Sequence, residues 1–424
     1  QKMKKIIFSL VAAVFLLASC NNDEVNGDNS NEKGTGTLYG SITFAGVNNN
    51  TNSTKAEIQS STIPKTGWDK INQVHMFLYK RDTNTPNDQI AFSYVFSPSA
   101  SQTEFSWNNI PVGKYRLALV ANVKSGSDDI STTINNIANE LNAYNVLGLK
   151  VNDLANGVAF DLKSTNLPTA NHSFASGKSG YLAPSEIFTA YEDIEIVEGV
   201  RTLADNLQLR REVSLMRLRL AETDDVDLSD VNFEDADLSG ILVHRLPVGF
   251  NLPVNATEGN FTGRGSSTSN IDRIMVAKTG ENTFRFTDPT NATHDLGAGN
   301  SILNGGEFSM WQEFCILPNE VTSGTITDVD AASDRKYFIV ISASVPDGYV
   351  YADGSVAENG TNPVYWSATI NKNFPANAIR EINIRIKSYG LPGPPEEPQP
   401  EGGLDIQVSA PMDWENILVE GVEV

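Results

Sequence analysis

Residues 404–414 read Leu404-Asp405-Ile406-Gln407-Val408-Ser409-Ala410-Pro411-Met412-Asp413-Trp414, with an apolar residue at every second position. That period belongs to a strand with one dry and one wet face. At ~3.3 Å per residue the stretch spans roughly 36 Å, long for a strand in a globular domain. Immediately before it, Gly390 to Gly403 (GLPGPPEEPQPEGG) is rich in Pro, Gly and Glu. Such a segment is extended, stiff in its proline runs and unable to join a core. A patterned strand at the end of a tether has two readings. Its dry face is meant for another molecule, or it folds back onto its own domain.

The bulk properties narrow the possibilities. A chain of 424 residues is long enough for two or three domains with full cores. Its apolar fraction of 40% and charged fraction of 20% are those of a globular protein. With 31 basic against 52 acidic residues the formal charge is −21, which argues against a nucleic-acid partner. His75, His172, His244 and His294 are too dispersed for a local metal motif, and no cofactor motif is present. The two cysteines lie in unlike contexts: Cys20 follows an apolar leader and Cys315 sits in an apolar run that reads as core.

Lys2, Lys4 and Lys5 precede the apolar run Ile6 to Ala18, too short to cross a bilayer but suited to a signal peptide. Leu17, Ala18, Ser19 and Cys20 match the bacterial lipobox at all four positions. By resemblance to lipoproteins, cleavage before Cys20 leaves its thiol acylated, a palmitate-type anchor in the outer membrane. Asp23 and Glu24 resemble the acidic signal of surface-exposed lipoproteins of Bacteroidetes-type bacteria.

Leu38, Gly40, Ile42 and Phe44 alternate with polar residues, so Thr37 to Ala45 reads as a strand. An Asn-, Ser- and Thr-rich loop follows, holding the single basic residue Lys55 before Ala56. Such loops are substrates for trypsin-like proteases, and a cut there would release a strand patterned like the tail.

The remainder reads as strands and turns. The candidate strands are Val74–Tyr79, Ile90–Phe96, Thr103–Trp107, Tyr115–Val123, Glu192–Val197 and Leu207–Leu220 in the first half. In the second half they are Ile241–Leu246, Asp272–Lys278, Asn282–Phe286, Trp311–Leu317, Tyr337–Ser342, Val364–Thr369 and Glu381–Lys387. One short helix is expected where Ile130, Ile134, Ile137 and Leu141 follow Ser127-Asp128-Asp129. Strand count and turn spacing predict a mainly β fold of two antiparallel β-sandwich domains (transthyretin-like, Greek-key). The expected division is a leader at 1–20, a propeptide with a removable first strand at 21–55, an N-terminal sandwich at 56–205, a C-terminal sandwich at 206–390, and tether and tail at 391–424.

The order of these parts, with Gly113 to Asn122 (GKYRLALVAN), Leu209 to Val213 (LRREV) and Phe374-Pro375-Ala376-Asn377 through Ile382-Asn383-Ile384 to Gly390, resembles the fimbrillin-type (type V) pilins of Bacteroidia. The resemblance implies export as a lipid-anchored precursor and removal of the first strand by a surface protease. It implies a groove opened in the N-terminal domain, filled by the C-terminal strand of a neighbour. Carried onto this chain, the cut falls between Lys55 and Ala56. Leu38, Gly40, Ile42 and Phe44 mark the removable strand, and Leu404, Ile406, Val408, Ala410, Met412 and Trp414 the donor strand. A lysine stands where the family has arginine. Six such side chains contribute a gross burial of roughly 9–18 kcal/mol before ordering costs. The implied partners are other subunits of the same fibre, accessory fimbrial subunits, a trypsin-like protease and a host or bacterial surface ligand. The implied location is the outer membrane, then an extracellular fimbrium used in adhesion.

Two further readings belong to other classes. An enzyme would need facing carboxylates or a G-x-S-x-G elbow, and the sequence presents neither motif. The acidic stretches Asp224 to Asp237 and Asp328 to Asp334 lack the order of a calcium loop. A surface carbohydrate-binding lipoprotein would use open-faced aromatics, with Trp68, Trp107, Trp311 and Trp366 as candidates. Within the fimbrial reading, an anchor or accessory subunit would keep its lipid and first strand.

Overall fold

A computed structural model of the chain describes residues 34–44, 71–81, 89–96, 103–123, 159–161, 164–165, 180–181, 183–184, 186–233, 235, 238–247, 249–251, 260–262, 273–278, 312–319, 326, 328–332, 336–358, 360–393 and 403–414. The helix expected near Ile130 and the strand expected at Asn282–Phe286 lie outside these residues. The other candidate strands all fall on observed ones.

The first half contributes β1 (Thr35–Phe44), β2 (Ile71–Lys80), β3 (Gln89–Phe96), β4 (Glu104–Pro111), β5 (Gly113–Val123), β6 (Ala159–Asp161), β7 (Ser164–Thr165), β8 (Gly180–Tyr181), β9 (Ile187–Ile196) and β10 (Arg201–Arg211). The second half contributes β11 (Ser214–Glu222), β12 (Gly240–His244), β13 (Gly249–Asn251), β14 (Asn260–Thr262), β15 (Arg273–Lys278), β16 (Gln312–Ile316), β17 (Tyr337–Val345), β18 (Asn362–Ile370), β19 (Ala378–Ile386), β20 (Leu404–Val408) and β21 (Met412–Asp413). The fold is mainly β.

A seven-stranded sheet runs β3-β2-β5-β9-β10-β1-β4. A second sheet runs β16-β11-β19-β20, with β21 also on β19, and a third runs β18-β17-β12-β15-β8-β7. A small ladder joins β14, β13 and β6. Antiparallel pairing dominates, with parallel pairs at β1/β10, β11/β19 and β8/β15. Each parallel pair joins strands far apart in the chain, as crossover geometry requires.

Period-two burial builds the cores. In β4, Phe105 and Trp107 are buried while Glu104, Ser106 and Asn108 are exposed. On β2, Val74, Met76 and Leu78 face one core with Leu117, Leu119 and Ala121 of β5. Phe77 and Tyr79 face the other way, with Ala118 and Val120, into the larger core. That larger core also takes Leu218 and Leu220 from β11, Ile339 and Ile341 from β17 and Trp366 from β18. The seven-stranded sheet is therefore apolar on both faces where it meets the second half, and β17 is buried at every position.

Two expectations are revised by the topology. The stretch Leu207–Leu220 is two strands, because the chain passes from the first sheet to the second at Glu212-Val213. The boundary expected between 205 and 206 lies inside β10. Short strands β6, β7 and β8, read as first-domain chain, pair with β13, with each other and with β15.

His75 on β2 is buried, its ring stacked on Phe77 at 6.5 Å between centroids. Burial pushes its imidazole from 6.5 down to about 4. As pH falls from 6.5 towards 4 the unfolded chain takes up a proton that the folded chain refuses. Stability is therefore lost across that window, by up to about 3 kcal/mol at its acid end. His75→Leu is expected to flatten this limb, measured as urea midpoints at pH 7 and 4.5.

Candidate functional site

The geometry that bears on function is a pair of strand seats, one holding β1 and the other the tail. β1 lies inside the seven-stranded sheet, parallel to β10 and antiparallel to β4. Leu38 and Ile42 point into the core with no exposure, while Ser41 and Thr43 face water. Gly36 and Gly40 share the inward face. A Cβ on Gly40 would stand 2.5 Å from the Ala204 carbonyl oxygen and 3.0 Å from the Phe105 ring. One on Gly36 would stand 2.6 Å from the Val197 carbonyl oxygen. The inward face of β1 is thus small, large, small, large, and its glycines let the wall approach the backbone directly.

β1 is joined to the rest of the described chain only through residues 45–70, which lead to β2. Three strands, β5, β9 and β10, stand between β1 and β2 in the sheet. A cut anywhere in residues 45–70 therefore leaves β1 held by non-covalent contacts alone. Its removal would open a slot between β10 and β4 of two strand spacings, ~9.6 Å, the width of one strand. The slot would be floored by Phe105, Trp107, Ile110, Ala204, Leu207 and Leu209. β4, whose ladder partner among the described residues is β1, would lose its pairing.

The tail occupies a different kind of seat. Among the described residues β20 is the edge strand of the second sheet and pairs only with β19, Leu404 opposite Ile386 and Val408 opposite Ile382. The uninterrupted eleven-residue strand read from the sequence is not formed. One extra residue between Val408 and Met412 makes a bulge, after which Met412 pairs with Ile379 and Asp413 with Ala378. The bulge reverses the faces. Leu404, Ile406 and Val408 share the side of β19 that carries Ile382, Ile384 and Ile386, whereas Met412 and Trp414 share the side of Ile379, and the larger core takes in residues from both sides.

Polar contacts hold the bulge. The Arg380 guanidinium donates to the Ser409 carbonyl, and the Ser409 hydroxyl accepts from the Glu381 amide at 3.0 Å. Trp414 is fully buried at the joint between the sheets, with Arg211 4.1 Å above its ring. The same guanidinium donates to Glu186 at 2.6 Å and to Asn377 at 2.8 Å. The seat is nevertheless incomplete. Ile406, Val408 and Met412 are half-buried, Ala410 is exposed, and the buried Trp414 Nε1–H has no acceptor. An unpaired buried donor costs about 1–3 kcal/mol. Trp414→Ala is expected to release the tail, at a cost to docking of about 3 kcal/mol. The check is amide hydrogen exchange: Ile406 and Val408 should lose protection while β19 keeps its own.

The sequence-read residues are therefore distributed as follows. Leu38, Gly40 and Ile42 line the β1 seat, with the Phe44 backbone at its far end. Leu404, Ile406, Val408, Ala410, Met412 and Trp414 lie on both sides of β19. Leu17, Ala18, Ser19 and Cys20, and the pair Lys55 and Ala56, lie outside the described residues. Trp107 and Trp366 are core residues, Trp366 stacked on Phe233 at 5.7 Å, so neither presents an open face to a sugar. Trp68 and Trp311 lie outside the described residues. Asp227 and Asp235 accept hydrogen bonds from the Ser229 and Leu238 amides, as turn-forming carboxylates do. Missed from sequence were the glycine contacts and the Arg211 joint, which depend on strands remote in the chain.

No protein-family model matches the chain, and no curated protein matches it. Solved structures similar to it include a candidate cell adhesion protein from Bacteroides eggerthii, with 12% identity, 92% of this chain and 98% of that chain covered, and a TM-score of 0.43. A candidate polysaccharide-binding protein from Bacteroides thetaiotaomicron has 9% identity over 84% of this chain and 93% of its own, TM-score 0.40. The tip fimbrial protein Mfa3 from Porphyromonas gingivalis, with a C-terminal truncation, has 11% identity over 90% of this chain and all of its own, TM-score 0.32.

Proposed function

We propose that this chain is a structural subunit of a cell-surface fimbria, exported as a lipoprotein precursor through Cys20, cut near Lys55 and polymerised by strand replacement in the service of adhesion. The supporting observation is the inequality of the two seats. β1 is an interior strand with ladders on both sides and a fully buried inward face. The tail is an edge strand with one broken ladder and a partly exposed face.

Once β1 is cut free and lost, a tail that moves into the vacated slot exchanges one ladder for two. It also covers the apolar floor that β1 leaves behind. A tail cannot fill the slot of every neighbour at once, so head-to-tail donation without closure yields a filament. Nothing in this scheme calls for catalysis by the chain, and its partners are copies of itself, accessory subunits and the processing protease.

The test is limited proteolysis of the purified chain followed by N-terminal sequencing and electron microscopy. The expected result is a mature start at Ala56 with filaments appearing only after the cut. Filaments formed by the uncut chain, or a cut chain that remains monomeric, would overturn the reading.

A further inference from the structure

We infer that the tail enters its neighbour's slot in one register, with Ala410 standing where Gly40 stands in the uncut chain. The register rests on the strand-replacement reading above and takes the occupant to be the tail of a second copy, running in the direction of β1.

The constraint is the wall at Gly40. A Cβ there meets the Ala204 carbonyl oxygen at 2.5 Å, so every tail residue except glycine, Ala410 included, makes that wall give way, and a larger side chain makes it give more. Of the tail's dry-face residues, Ala410 brings the smallest side chain to that point. Val408, Met412 or Trp414 would drive a branched or long side chain into the same carbonyl and the Phe105 ring. With Ala410 in place, Val408 takes the pocket of Leu38 and Met412 that of Ile42. Trp414 falls on the position of Phe44, aromatic for aromatic. Gln407, Ser409 and Asp413 fall on Thr37, Tyr39 and Thr43, none of which is buried.

Pro411, which lacks an amide donor, falls on Ser41 in this register. The Thr37 amide donates to the Val200 carbonyl, so alternation turns the Ser41 amide towards β10 as well, where the pairing of Gly40 with Ala204 makes the Ala204 carbonyl its acceptor. The proline forfeits that one bond. A shift of two residues either way, with Pro411 on Thr43 or on Tyr39, forfeits a bond too and also puts Val408 or Met412 against the Ala204 carbonyl.

Further strain falls at the mouth, where Ile406 replaces Gly36 beside the Val197 carbonyl and the buried Ile196 side chain, 2.6 and 2.8 Å from a Cβ there. That carbonyl belongs to the exposed tip joining β9 to β10, with Val197 46% and Val200 48% exposed, and the tip has to move outward.

The test is disulfide mapping in the cut, polymerised full chain. Ser106 is exposed on β4 and pairs with the Tyr39 position. Ser106→Cys is combined in turn with Asp405→Cys, Gln407→Cys, Ser409→Cys or Asp413→Cys, and polymers are run without reductant. The expected result is a covalent ladder with Ser409→Cys alone. A ladder with one of the other three overturns the register and leaves strand replacement standing. Polymers with no ladder in any combination overturn the register as well. A second variant, Ala410→Leu, alters a residue exposed in the docked tail and so spares the monomer fold. It is expected to lower polymer yield about ten-fold or more, while Ala410→Gly does not. Wild-type yield from Ala410→Leu would contradict the register.

Discussion

Gly40→Val in the uncut chain is expected to expel β1 and let subunits polymerise without proteolysis. Valine puts two methyl groups beyond a Cβ that already has no room against the Ala204 carbonyl and the Phe105 ring. Neither wall can yield cheaply. The carbonyl belongs to β10, which is paired on both sides, and Phe105 is part of the core beneath the sheet. Overpacking of this kind, with the loss of Leu38 and Ile42 from their pockets, is expected to cost about 3 kcal/mol or more. For a unit of roughly 150–250 residues holding the first sheet, the unfolding midpoint falls by about 6–12 °C. The slot is then open while β1 is still attached through residues 45–70, so a neighbour's tail can enter without a cut. An uncut Gly40→Val chain that stays monomeric with an unchanged midpoint would show that β1 is not held by its glycines.

The second large effect is expected at the buried ion pair between Arg217 of β11 and Glu381 of β19. The two side chains have no exposure and pair directly across the parallel ladder. Next to them Arg219 donates to Asn383 at 2.8 Å, so the face of β11 and β19 away from the larger core is a polar seam. Arg217→Leu leaves a carboxylate buried without its cation, and the expected loss is about 3–5 kcal/mol. The double variant Arg217→Leu/Glu381→Leu removes both charges together and should recover most of that loss. Urea denaturation of the singles and the double closes the cycle. A double variant no more stable than the worse single would mean that the pair does more than compensate its own burial.

Much of this was legible in the residues, and the failures have identifiable causes. The alternation of Leu38, Gly40 and Ile42 located β1 and its dry face. That β1 is interior, and parallel to β10, was not legible, because its partners lie far along the chain at 103–111 and 200–209. The faces of β11 could not be assigned from Arg217 and Arg219, since both sides of that strand are buried and the alternation carries no exposed phase. In the tail, the alternation from Leu404 holds to Val408 and then breaks. Pro411 was the available signal: a residue without an amide donor in the middle of a patterned strand marks a bulge or an edge, and here it accompanies both. The Arg211 joint under Trp414 assembles residues from 186, 211, 377 and 414, which no local pattern connects.

On the proposed reading, the same features let one chain be both a stored monomer and a fibre subunit. In that reading β1 occupies the better seat until it is cut. The tail meanwhile is kept on β19 by half-buried side chains, by the Arg380 grip on Ser409 and by a tryptophan whose indole donor is unpaired. Storage is thus stable enough to protect the dry face and weak enough to be left.

The most direct measurement is light scattering on the cut chain ended at Gly403, alone and mixed with the cut full-length chain. Strand replacement predicts that the shortened chain stays monomeric by itself and, having a slot but no tail, caps growing fibres in the mixture. Polymer formed by the shortened chain at the full-length yield would contradict it.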